Sequence, residues 1–150
     1  MKKYVTLLFF WLLLLPAFAQ RDICPRQFVA GIAPQILNSK MAASTTLLCF
    51  NAYALMYSGI SRTPLWSAEH LHENGSTDLQ SPKRRNAFHA EPRLPRSERS
   101  ELRDYAHSGF DRGHMTPSGD MPTPQAQYES FSLANIVPQN PESNQQLGKV

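Results

Sequence analysis

The sequence has no apolar run long enough to cross a bilayer, little excess charge, only two cysteines and no evident internal repeat. Its longest apolar stretch, Tyr4 to Leu15, is twelve residues, against the roughly 20 that a membrane-spanning helix needs. Fifteen Lys plus Arg against twelve Asp plus Glu give a net charge of +3, and two of those lysines are Lys2 and Lys3. Residues 20–150 alone therefore carry +1, which excludes a chain that attracts nucleic acid by overall charge. Two cysteines, with no Cys or His at finger spacing, exclude a zinc finger.

What is present begins with an export signal. Lys2 and Lys3 precede the short apolar run, Pro16 breaks it, and Ala17-Phe18-Ala19 offers a small-x-small cleavage site. The expectation is a signal peptide over residues 1–19 and an exported protein, periplasmic or secreted, with no stable membrane association after cleavage. The remaining 131 residues suffice for one small domain, not two. In an oxidising compartment Cys24 and Cys49 are expected to form a disulfide, with two buried free thiols as the alternative. Basic character is local: Lys83, Arg84, Arg85, Arg93, Arg96, Arg99 and Arg103 face only Glu91, Glu98 and Glu101 over the same span. The stretch reads either as a solvated linker or as a surface that meets a polyanion, with Arg84, Arg85, Arg93, Arg96 and Arg99 as its contacts.

Leu47 to Ile60 is apolar and ends at Ser58-Gly59, which predicts one strand. Thr63 to Leu71 alternates and predicts an antiparallel partner, with Pro64 near its start. Residues 72–103, rich in Pro and basic residues, read as a long surface loop. Residues 108–120 hold a short potential strand among turn signals, and Pro122 to Tyr128 a short helix. Ser130 to Val137 predicts a strand that Pro138 ends. Asn140, Pro141 and Glu142 then have the order of an N-cap, a first-turn proline and a carboxylate favourable to the helix dipole.

Within this pattern His114, in Asp111-Arg112-Gly113-His114-Met115, is the candidate for chemistry. A lone histidine is more often a satisfied core residue. Here amide oxygens from Asn135, Asn140 and Asn144 follow on a strand-then-helix unit, and neutral oxygen donors with retained water suit Mg²⁺.

Asp111-Arg112-Gly113-His114-Met115, then Asn135-Ile136-Val137-Pro138-Gln139, then Asn144, resembles the DNA/RNA non-specific endonuclease family, sugar-non-specific nucleases with a ββα-metal (His-Me finger) centre. Ser61-Arg62-Thr63-Pro64-Leu65-Trp66 with Ala68-Glu69 also resembles a segment upstream of that motif. The resemblance spans roughly residues 47–147. It implies an α+β fold with a central antiparallel sheet and Mg²⁺-dependent hydrolysis of DNA and RNA, with Mn²⁺ as a possible substitute. It further implies His114 as general base, Arg112 near the scissile phosphate, Asn144 as the direct metal ligand, and Asp111 and Asn135 as organisers of the site. A proteinaceous inhibitor is a possible partner.

The match departs after Asn144. Relatives continue with Trp four positions on, then Glu and Arg in the same helix, whereas position 148 is Gly and the sequence given ends at Val150. The expectation is a domain incomplete at its C-terminus, weakly active or inactive by itself. The competing reading is a non-catalytic exported polyanion-binding protein. A zinc site of His70, His72 and His114 ranks last, since spacing fixes no third ligand.

Overall fold

The computed structural model describes residues 24–71 and 84–147. The signal segment, residues 72–83 of the long loop and Gly148 lie outside the described residues, and with them His72 and Lys83. After a one-turn helix, α1 (Ser39–Ala42), three strands, β1 (Thr45–Cys49), β2 (Tyr53–Ser58) and β3 (Thr63–Glu69), form an antiparallel meander. The run expected as one strand is folded into two. Phe50 N–H bonds back to Tyr53 C=O at 2.8 Å, and Asn51 between them gives both its backbone and side-chain N–H groups to the Glu129 carboxylate. Hydropathy is blind to this turn, because the residues on both sides of Asn51 are apolar. β3 pairs with β2 as expected. Pro64, its second residue, lies opposite Tyr57 where a register shift between Met56 and Tyr57 interrupts the ladder, the kind of irregularity that accommodates proline in a strand.

β2 is buried on both faces, which is why its sequence shows no clean alternation. Tyr53, Leu55 and Tyr57 enter the main core with Leu48, Leu94, Met121, Ala126 and Ala134. Ala54 lies on the opposite face with Cys24 and Phe28, against Leu47, Cys49, Trp66 and Ala68. Phe28 packs edge-on to Trp66 at 6.0 Å. The expected disulfide joins Cys24 to Cys49, with Cα atoms 5.5 Å apart, and fastens the N-terminal arm over this face. Closing a loop of this length stabilises the fold by about 3 kcal/mol in the chain-entropy picture.

Residues 84–101 contain no helix or strand but are not a solvated linker. Glu91 is 3% exposed and Leu94 is buried. Arg93 pairs with Glu91 at 2.7 Å, donates to Cys49 C=O and lies over the Phe50 ring. Burial alone would push the Glu91 carboxyl up, but the hydrogen bonds from Arg93 and Ser132 outweigh it and hold the group below the ordinary carboxylate range. Further on, Ser100 N–H donates to Tyr57 Oη, and Tyr57 Oη donates to Glu98 C=O. The segment runs into α2 (Leu102–Tyr105), opened by a reciprocal cap between Glu101 and Asp104.

The C-terminal half differs most from expectation. α3 (Pro124–Ser130) starts behind a Thr123 cap, and a 3₁₀ turn, Leu133–Asn135, follows with Ser132 Oγ accepting from Ala134 N–H. The strand expected over Ser130 to Val137 is therefore displaced to β5 (Ile136–Gln139). It runs through Pro138, which lies opposite Arg112 of β4 (Asp111–His114) in a two-stranded ribbon. Proline is tolerated there because each strand of such a ribbon has a free edge. α4 (Pro141–Leu147) begins where the sequence places it, with Asn140 Oδ1 accepting from the N–H groups of Glu142 and Ser143. Among the described residues no helix is long and apolar enough to cross a membrane.

Candidate active site

The β4–β5 ribbon fixes the backbone of the candidate base, with His114 opposite Ile136 and Met115 N–H bonded to Asn135 C=O at 2.8 Å. The Asn135 side chain, wholly buried, does the rest: its Oδ1 accepts from Thr116 N–H, and its Nδ2 donates to the carbonyls of Thr116 and Ser130. A single amide thus holds the turn after His114 to the end of α3. Every polar atom of that side chain is engaged with the protein and the residue is wholly buried, so Asn135 ties these segments together from behind the ribbon.

The irregular segment closes on this frame. His89 N–H bonds to Phe131 C=O, and Leu133 N–H to His89 C=O, placing Phe88 beside the β4–β5 ribbon. The His114 ring packs at 4.9 Å against the edge of Phe131 and at 5.6 Å against Phe88. Burial among these rings, with a smaller contribution from the Arg84 guanidinium, lowers the His114 pKa to about 4. The imidazole is therefore neutral at pH 7, and its buried Nε2 has no hydrogen-bond partner. A satisfied core histidine would not leave that atom orphaned.

Next to this ring a groove of about 480 Å³ is lined by Arg84, Phe88, Phe110, Asp111, Arg112 and Asn144, among others. The Arg112 guanidinium stacks over Phe88 at 4.2 Å and that of Arg84 over Phe131 at 5.6 Å. Asn144 Nδ2 donates to Asp111 Oδ2 at 3.1 Å. A carboxylate only accepts, so this bond fixes which way the amide points and leaves Asn144 Oδ1 on the side away from Asp111. Gly113 is required by packing: a Cβ there would lie 2.8 Å from Cβ of Gln139, whose side chain crosses the ribbon.

Of the residues singled out from sequence, the fold brings Asp111, Arg112, Asn144 and Arg84 to one groove, with His114 against its Phe88 wall and Asn135 behind. Asn140 is not a ligand, because its oxygen caps α4. Arg85 and Arg96 are exposed and absent from the groove lining. Arg93 is committed to Glu91, and Arg99 to Glu101 at 2.8 Å. Of the expected polyanion contacts, Arg93 and Arg99 thus face local acidic partners. His70 lines a different cavity with Glu69 and Asp120, where burial and the neighbouring Asp120 push the Glu69 carboxyl up. Among the described residues no three His, Cys, Asp or Glu side chains form a metal site; the zinc alternative includes His72, which lies outside them. Sequence reasoning missed Phe88, Phe131 and Phe110. The only signal was aromatic residues in polar, turn-rich surroundings.

The donor set fits a hard divalent cation. Asn144 offers an amide oxygen whose direction is set by the Nδ2 bond to Asp111, and such ions accept few protein oxygens while retaining water. An antiparallel ribbon followed by a helix, with the histidine on the first strand and the oriented amide on the helix, defines a ββα-metal nuclease centre. The chain belongs to the DNA/RNA non-specific endonuclease family, whose sequence pattern matches residues 33–149. It is 41% identical over 98 residues to the mitochondrial nuclease EXOG of Danio rerio, covering 63% of this chain and 28% of that protein. Nuclease C1 of Cunninghamella echinulata is 38% identical over 90 residues, covering 59% and 36%. The crystal structure of the EndoG/EndoGI complex matches with a TM-score of 0.55 and 31% identity over 62% of this chain and 39% of that one. The chain thus spans about a quarter to two fifths of the length of these relatives.

Proposed function

We propose that this protein is an exported endonuclease that hydrolyses phosphodiester bonds of DNA and RNA without reading sequence, with Mg²⁺ as cofactor and Mn²⁺ as a substitute. The observation that carries the reading is the pairing of a neutral His114, its Nε2 buried and unpartnered, with the Arg84 and Arg112 guanidiniums and the fixed Asn144 amide. His114 Nε2 takes the proton from the water that attacks phosphorus. A pKa of about 4 keeps it ready as an acceptor across the neutral range, although it makes a weaker base than an unperturbed imidazole. Arg112 and Arg84 bind the non-bridging oxygens, and their aromatic supports hold the guanidinium planes in place for charge that grows as the reaction proceeds. Asn144 Oδ1 is the protein atom that would hold Mg²⁺, and the ion would supply neutralisation of the charge that develops as the phosphodiester bond breaks. Asp111 does no proton transfer; it points the amide.

All these contacts go to phosphate, which positions a strand without conveying its sequence. Export belongs to the same proposal and is supported by the N-terminal segment and by the Cys24–Cys49 disulfide, a bond favoured in oxidising compartments. The matched structure is a complex of EndoG with EndoGI that concerns EndoG inhibition, and this supports a protein inhibitor as a further partner. The test is nicking of supercoiled plasmid and of RNA with Mg²⁺, with His114→Ala alongside. Cleavage by the native protein and none by the variant supports the mechanism. Equal products from both sink it, and no product from the native protein with either metal, together with retained salt-sensitive binding, favours the polyanion-binding alternative.

A further inference from the structure

The groove beside His114 is lined by two unlike sets of side chains: Arg84, Arg112, Asn144 and the Asp111 carboxylate are charged or polar, and Leu102, Ala106 and Phe110 are apolar. Phe110 is 54% and Leu102 47% exposed, so large apolar groups of this set face water. The turn that presents Phe110 is held firmly. His107 and Gly109 both take positive φ, at 58° and 82°. Between them Ser108 Oγ lies within hydrogen-bond distance of Tyr105 C=O, at 3.0 Å, and accepts from Phe110 N–H at 3.2 Å. A non-glycine residue at positive φ costs energy, and the turn tolerates it while displaying a large aromatic ring to solvent.

Phe110 and Arg112 are two residues apart along nearly extended chain, about 6.6 Å, and both line the groove. A guanidinium for a phosphate and a ring for a flat apolar group, two residues apart and lining one groove, match in kind the two halves of a nucleotide. From this we infer that Phe110 is the floor of a nucleobase subsite, on which one unpaired base next to the bound phosphate stacks. The inference rests on the nuclease reading and adds to it a preference for strands whose bases can leave the helix. Stacking is indifferent to base identity, because every base has a π-face, so the subsite adds affinity without adding sequence specificity.

The experiment compares two probes in EDTA at low salt: a short fluorescent oligothymidylate and an abasic oligonucleotide of the same length, which keeps the phosphates and lacks the bases. The native protein is expected to bind the oligothymidylate about tenfold more tightly than the abasic strand. Phe110→Leu keeps the apolar packing and removes the aromatic face; it should erase that difference while leaving abasic binding unchanged. Phe110→Trp should restore it, with the indole emission quenched by the base. Equal binding of the two probes by the native protein overturns the subsite and leaves the nuclease reading standing. No binding of either probe overturns both.

Discussion

The two regions that meet at His114 are built by different means. β4, β5 and α4 hold His114, Asp111 and Asn144 through a strand ladder and a capped helix, each bond joining residues whose spacing is visible in the chain. Residues 84–101 deliver Arg84 and Phe88 with no helix or strand, held by a buried carboxylate, a tyrosine hydroxyl and two backbone bonds to the Phe131–Leu133 turn. In the proposed mechanism the first region carries the reacting groups. The second sets their surroundings, since the rings around His114 and the nearby Arg84 charge produce its low pKa. Chemistry and tuning thus reside in separate pieces of chain and can be damaged separately.

The largest effect separates them at once. His114→Ala removes the proton acceptor, and plasmid nicking is expected to fall by about 10²-fold to 10⁴-fold, while affinity for oligonucleotide in EDTA stays unchanged. A loss of affinity matching the loss of rate would mean that His114 is structural. Next is Asn135→Ala, which leaves Thr116 N–H and the carbonyls of Thr116 and Ser130 without their buried partner. Thermal or urea unfolding should show a destabilisation of about 2–4 kcal/mol, on the scale of several orphaned polar groups. A change below the ordinary surface range would show that the ribbon does not depend on this amide.

The third prediction concerns pH. In the unfolded chain His114 has an ordinary pKa of about 6.5; in the folded protein it is about 4. As pH falls between these values the unfolded state binds the proton first, so the folded state loses stability, by up to about 3 kcal/mol. His114→Gln should flatten that part of the stability profile, measured by urea unfolding in EDTA between pH 7 and pH 4 (about the two pKa limits). An unchanged slope would place the histidine in water rather than among the rings. The smallest effect belongs to the tuning region. Glu91→Gln weakens the charge-assisted bonds from Arg93 and Ser132 and should cost about 1–2 kcal/mol, with a modest loss of nicking as Phe88 and Arg84 loosen. Full loss of activity without loss of stability would contradict the division of labour.

The same division explains what the sequence discloses. Asp111, Arg112, His114, Asn135 and Asn144 are legible because motif and spacing lie within the elements that hold them. The start of α4 is legible because capping is local. Phe88, Phe131 and the Glu91–Arg93 pair are not, because their roles come from contacts made across tens of residues, and the same residues in a Pro-rich stretch read as linker. The turn at Asn51 is hidden by apolar residues on either side, and β5 runs through Pro138 because an exposed ribbon forgives a missing donor. Charge patterning misleads for the simplest reason: counting arginines does not reveal which already face a glutamate.

Gly113 carries a consequence for how this motif can vary. Since a side chain there meets Cβ of Gln139 and not merely the far end of that residue, shortening position 139 to alanine does not make room. Only a second glycine at 139, or a parting of the strands that would move His114, relieves the overlap. No ordinary second-site change rescues Gly113→Ala, and a library randomised at both positions should return glycine at 113 whatever stands at 139, apart from glycine pairs that weaken the ribbon. The residue between the arginine and the histidine is then dictated by its neighbour across the ribbon, and its intolerance in a selection for cleavage would report on strand packing while looking like chemistry.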